Sequence, residues 1–125
     1  MIKIFLIAIG GAIGAILRYL ISGIGYKIFG NGFAWGTLIV NLTGSFLIGF
    51  LWEIFENSVV SATFRIFLLI GFLGAFTTFS SYTLETLNFL RDNEVRLAIM
   101  NIFLNNVVGV SLVFFGILCG KLILR

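Results

Sequence analysis

The sequence has no histidine, no proline and a single cysteine, Cys119. It therefore can neither build a Cys/His metal cluster nor close a disulfide within itself. It also lacks the side chain most often used as a general base. Only five residues are acidic, and none stands with a nucleophile in a pattern that would support catalysis, so an enzyme is not the expected reading. Charge of either sign is scarce. Lys, Arg, Asp and Glu make up 10% of the 125 residues, against roughly 25% in soluble domains. The basic residues are scattered, and with no polybasic run nucleic acid is not an expected partner.

What is present is apolar. Hydrophobic residues form 60% of the chain, 15 of them Phe, and the mean hydropathy is +1.17. So few charges cannot cover a water-facing surface, so lipid must be the main solvent. Four apolar windows stand out, at about residues 4–24, 33–52, 64–90 and 97–124. Each is long enough to cross a hydrocarbon core of about 30 Å as a helix. The first window begins after Lys3 and runs past Arg18 without a small-residue cleavage site, so it reads as a retained span rather than a secretory signal. The expectation is an all-α integral membrane protein: one four-helix domain over residues 1–125, multi-pass in the plasma or inner membrane. Its short loops imply antiparallel neighbours.

Without proline, any interruption of a span must come from glycine or from side chains that compete for backbone hydrogen bonds. Gly10 and Gly14, Gly32 and Gly36, and Gly116 and Gly120 have the spacing that lets membrane helices approach closely. Lys3, Arg65, Lys121 and Arg125 fall on one side of a four-span chain. Lys27, Arg91 and Arg96 fall on the other, with Arg18 towards the end of span one. Orientation normally follows a Lys/Arg excess, and here there is almost none. The charge pattern thus predicts insertion in both orientations and an antiparallel, dual-topology homodimer; the alternative is a weakly biased single orientation.

A polar group at bilayer depth is costly, so each one is a functional candidate. Arg18 either forms a vestibule that gathers anions or snorkels to headgroups. In span two, GTLIVNLTGSF puts Thr37, Asn41 and Ser45 on one helix face, suited to a pore wall or to holding a neighbouring helix. In span three, GAFTTFSSYTLE concentrates Thr77, Thr78, Ser80, Ser81, Tyr82 and Thr83 around all faces. Such hydroxyls compete with helical bonding, which predicts a third helix broken at mid-membrane. At such a break free carbonyls coordinate cations and free N–H groups bind anions. Glu85, just beyond, either anchors the break or pairs with Arg18. Span four contains Asn101, Asn105, Asn106 and Ser111, of which Asn101 and Asn105 share a face turned towards span two or towards the break. Neutral amides, hydroxyls and aromatic edges with few acids suit a small anion better than a cation.

GGAIGAILRY, GTLIVNLTGSF and GFLGAFTTFSSYTLE, in this order and spacing, resemble the CrcB or Fluc family of fluoride channels. The likeness covers three of the four spans and the overall length. It implies an antiparallel homodimer in lipid that exports cytoplasmic fluoride passively and reduces fluoride toxicity, with two pores lined by both subunits. It also implies a structural sodium ion at the dimer axis, which would be held by the backbone carbonyls of Gly74 and Thr77. By the same likeness the fluoride pore would use Asn41, the aromatic pair Phe79 and Tyr82, the hydroxyls of Ser80, Ser81 and Thr37, and Arg18 at the vestibule. Two departures stand out. Tyr82 replaces an expected Phe, and span four offers Asn101 and Asn105, with Asn105 in the pore, where Tyr and Ser are expected. Such changes are also those of one member of a paired, heterodimeric system, which the charge balance disfavours. A small multidrug transporter, another four-helix dual-topology dimer, would require an acid in span one, which has none. A non-conducting structural subunit would have no need of a helix break.

Overall fold

The computed structural model describes all 125 residues, and its regular structure is helical throughout. Helix α1 spans Ile2–Phe29 and α2 Trp35–Glu56. Helix α3 covers residues 62–76, α4 spans Phe79–Arg91, and α5 runs over Val95–Ile123. Taking α3 and α4 together, four helical stretches are long and apolar enough to cross a membrane. The first exceeds its apolar window. Tyr26 and Lys27, which hydropathy assigns to a loop, are helical, and α1 ends at Gly30, whose φ of 81° suits glycine. At about 1.5 Å per residue, Arg18 therefore lies about 16 Å from the end of α1, deeper than the sequence alone places it.

Helix α2 is central. It packs against α1 on one side and the second half of α5 on the other, while α1 also packs along α3, and α4 against the start of α5. Glycines allow these approaches. A Cβ on Gly10 would lie 2.5 Å from the Phe67 carbonyl oxygen, and one on Gly14 would overlap that of Phe72. Gly116 and Gly120 meet α2 in the same way. The Gly32–Gly36 pair differs from the expected packing motif. Gly32 lies in the α1–α2 loop with open space around it, and only Gly36 makes a close contact, against Ser22 and Tyr26 of α1. The α2–α3 loop is held by Arg65, whose guanidinium donates to the Phe55 carbonyl and lies over the Phe55 ring.

Two stretches are wound as π-helix, Ile66–Leu73 in α3 and Leu104–Val108 in α5. Such turns often accompany functional sites, because they shift the side chains that follow to a new face. The core is small: Val40, Leu73 and Phe76, flanked by Leu17, Ile21, Leu47 and Leu69. Only 23 of 125 residues are buried, so the remaining apolar surface must meet lipid or another chain.

Candidate functional site

The helical run of α3 stops at Phe76. Thr77 (φ −84°, ψ 157°) and Thr78 (φ −144°, ψ 117°) are extended, and helix resumes at Phe79. The local chemistry explains where it stops. Thr77 bonds back to the Leu73 carbonyl through its hydroxyl at 3.1 Å. The Thr78 hydroxyl caps α4 by accepting from the Ser81 N–H at 3.2 Å. It also lies 3.1 Å from the Ser81 hydroxyl and 3.4 Å from that of Ser80.

In a continuous helix the Thr78 N–H would bond the Gly74 carbonyl. Instead it donates to Asn41 Oδ1 at 2.8 Å, and Asn41 Nδ2 donates back to the Thr78 carbonyl at 3.0 Å. The second Nδ2 hydrogen of Asn41 goes to Asn105 Oδ1 at 2.9 Å. One amide of α2 thus replaces the helical partners of both backbone groups of Thr78. The Ser81 N–H is likewise diverted to the Thr78 side chain, so no N–H or side-chain donor reaches the carbonyls of Gly74 or Thr77.

Beside the interruption lies a cleft of about 290 Å³. Its walls include Asn41, Gly74, Thr77, Phe79, Tyr82 and Asn105 from the sequence-derived set. Phe79 and Tyr82 touch edge to face, with ring centroids 5.5 Å apart. Tyr82 is buried, whereas Phe79 is 74% exposed. The Tyr82 hydroxyl accepts from Asn106 Nδ2 at 2.9 Å, so the group by which it differs from Phe is tied to α5.

Four of the residues that the resemblance places in the pore, Arg18, Thr37, Ser80 and Ser81, do not line this cleft. Ser80 and Ser81 flank it through Thr78. Thr37, buried in α2, donates to Glu85 Oε1 at 2.6 Å, and Tyr26 donates to the same oxygen at 3.0 Å. Glu85 therefore bridges α1, α2 and α4. It forms no ion pair with Arg18, and its Oε2 is buried without a protein partner. Arg18 sits one turn beyond Gly14, which meets Phe72 and Phe76 just before the interruption. It is half-buried and bonds to no protein group. Asn101, fully buried, faces α4: its Nδ2 donates to Thr86 Oγ1 at 2.9 Å.

The sequence reading gave Tyr26 no part in the site and assigned no role to Asn106 beyond its place among the polar residues of span four. Tyr26 sits beyond the first apolar window. Asn106 adjoins Asn105, and the π-turn brings both into play, Asn105 towards α2 and Asn106 towards α4. Removing the Glu85 carboxylate should be costly. Glu85→Ala leaves two hydroxyls without an acceptor, at about 1–3 kcal/mol each. A thermal melt of detergent-solubilised protein should drop clearly for Glu85→Ala and much less for Glu85→Gln, which keeps one carbonyl acceptor.

Comparison with known proteins gives this arrangement its setting. A family model described as CrcB-like protein, Camphor Resistance (CrcB), matches residues 5–117. A protein of Parabacteroides distasonis named fluoride-specific ion channel FluC is 46% identical over 121 residues, covering 97% of this chain and 94% of the relative. One of the same name from Desulforapulum autotrophicum is 43% identical over 122 residues, covering 97% and 98%. A third, from Hydrogenovibrio crunogenus, is 41% identical over 96% of this chain and 92% of its own. Four helices able to span a bilayer and likeness along nearly the whole length make this a multi-pass membrane protein, and the chain belongs to the CrcB family.

Proposed function

We propose that this chain is the subunit of a fluoride-selective channel, not an enzyme, that lets cytoplasmic fluoride leave passively and so reduces fluoride toxicity. Two copies inserted in opposite orientations form a homodimer with two pores, each lined by both subunits. The interruption at Thr77–Thr78 then lies at mid-membrane, and a structural sodium ion sits at the dimer axis. The observation that carries this reading is the interruption itself, set beside a cleft of neutral donors in a chain whose relatives are named as fluoride-specific channels.

The physics supports an anion path. Fluoride is small and strongly hydrated, so a pore must replace its water with close donors while binding it weakly enough to release it. Ser80 and Ser81 supply hydroxyls, and the ring edges of Phe79 and Tyr82 supply partial positive charge. Asn41 and Asn105 form the adjoining wall. Thr37 lies one helical turn from Asn41 on the same face, beside Glu85. Arg18, with no acid to neutralise it, raises the local anion concentration at the level of the interruption. Phe79 favours a dimer. A ring this exposed beside a polar cleft has its outer face free for a second copy to complete the path.

Sodium fits the residues at the axis. The Gly74 and Thr77 carbonyls receive no hydrogen bond, and such carbonyls at a helix interruption are the ligands a hard monovalent cation takes. When bound, the ion supplies a fixed positive charge and joins the two subunits at their breaks. Irregular backbone of this kind is tolerable in a membrane only where protein or water surrounds it, which a dimer axis provides.

The test is flux. Purified protein in liposomes loaded with fluoride or chloride, opened with a potassium ionophore, should release fluoride rapidly and chloride scarcely above empty vesicles. A monodisperse preparation that releases no fluoride would refute the proposal.

A further inference from the structure

The hydrogen bonds around the interruption run in one direction. The Thr78 N–H donates to Asn41 Oδ1 (2.8 Å), Asn41 Nδ2 to Asn105 Oδ1 (2.9 Å), and Asn105 Nδ2 to Asn101 Oδ1 (3.0 Å). Asn101 Nδ2 then donates to Thr86 Oγ1 (2.9 Å), and Thr86 Oγ1 to the Tyr82 carbonyl (2.8 Å). The chain leaves span three at Thr78, crosses α2 and α5, and returns to span three one turn into α4. Its direction is fixed at the start. The Thr78 peptide offers a donor and an acceptor to the same amide, and only one orientation of Asn41 satisfies both. Asn105 must then turn its oxygen to Asn41 and its nitrogen to Asn101, where it also meets the Asn101 carbonyl at 3.0 Å.

We infer that Asn105 and Asn101 are positioning residues: they act through Asn41 to hold the peptide at Thr78 out of the helix. Asn41 alone, as a rotatable amide, could swing away and open the Thr78 N–H to water as it moves between Asn41 and the Gly74 carbonyl. Asn105 prevents this by occupying its remaining hydrogen, and Asn101, with no exposed surface, fixes Asn105. Every amide hydrogen of Asn41 and Asn101 is engaged within the protein. In a buried network each bond polarises the next, so loss of one member weakens the whole. The two asparagines of α5, where the resemblance expects Tyr and Ser, are thereby explained as a device for holding the interruption. Only its consequence for conduction rests on the channel reading; the geometry at Thr78 does not.

Amide hydrogen exchange on 15N-labelled protein in nanodiscs separates the two. Asn105→Ala should speed exchange at the Thr78 N–H about tenfold or more and leave that of Ala98, bonded to the Glu94 carbonyl in the same helix as Asn105, unchanged. Asn101→Ser should act in the same direction more weakly. Thr78 exchange within about twofold of wild type in folded Asn105→Ala would overturn the inference. Should that variant not yield monodisperse protein, Asn105→Ser carries the same readout, with the same outcomes for and against. Fluoride flux supplies a double-mutant cycle. Asn105→Ala should add little to the loss caused by Asn41→Ala, whereas full multiplication of the two losses would show that Asn105 does not act through Asn41. Wild-type protein without flux, but with Thr78 responding to Asn105→Ala, would refute the channel proposal and leave the positioning role standing.

Discussion

Asn41→Leu should lower fluoride flux about 100-fold or more while the protein still purifies as a single species. Leucine keeps most of the volume of Asn41 and removes three hydrogen bonds: the two to the Thr78 peptide and the one to Asn105. Three polar groups then lack their protein partners. Leaving each unsatisfied costs about 1–3 kcal/mol. The Thr78 N–H has a way to escape that cost, because the Gly74 carbonyl is the acceptor it would use in an ordinary helix. The expected result is an interruption partly healed into helix. Gly74 then loses its free carbonyl, and Phe79 and Ser80 rotate away from the cleft. Since the four-helix packing does not depend on this peptide, the variant should fold and be read cleanly in the liposome assay. Flux within a few-fold of wild type would show that the amide clamp does not govern the path.

The clamp was partly legible in the sequence. Hydropathy identifies four spans because lipid imposes one requirement on every residue of a span, and that requirement is local. The clustering of Thr77, Thr78, Ser80 and Ser81 is also a local signal, since these hydroxyls compete with the backbone of their own turn. Partnerships across helices carry no such signal. Glu85 could anchor the break or pair with Arg18, and only the packing of α1 against α2 decides that Tyr26, 59 residues away, donates to it instead. Helical spacing puts Asn101 and Asn105 on one face, but a π-turn separates what they contact. Asn101 looks to α4 and Asn105 to α2. Spacing also misleads at Gly32, which has the right interval from Gly36 but lies outside the helix. The end of α1 was missed because Tyr26 and Lys27 are polar by composition yet continue the helix.

A large effect on folding is expected at Gly14. Helix α1 lies so close to α3 there that a Cβ would overlap the Phe72 carbonyl oxygen and come within 3.1 Å of the Phe76 N. Both obstacles are backbone, so neither can move aside as a side-chain tip would. Overpacking at a yielding site costs about 1–3 kcal/mol, and an unyielding one should cost more. Gly14→Val should therefore fail to give monodisperse protein, and Gly14→Ala should lower the melting temperature and flux together. The link to function is direct. The segment pressed by Gly14 ends at Phe76, one residue before the interruption, so a shift of α3 displaces the carbonyls of Gly74 and Thr77. Gly23→Ala in the same helix is the control. Nothing lies within 4 Å of a Cβ at Gly23, and replacing a mid-helix glycine with alanine should be neutral or stabilising by up to about 1 kcal/mol. If Gly14→Ala melts and conducts like Gly23→Ala, α1 does not set the position of the break.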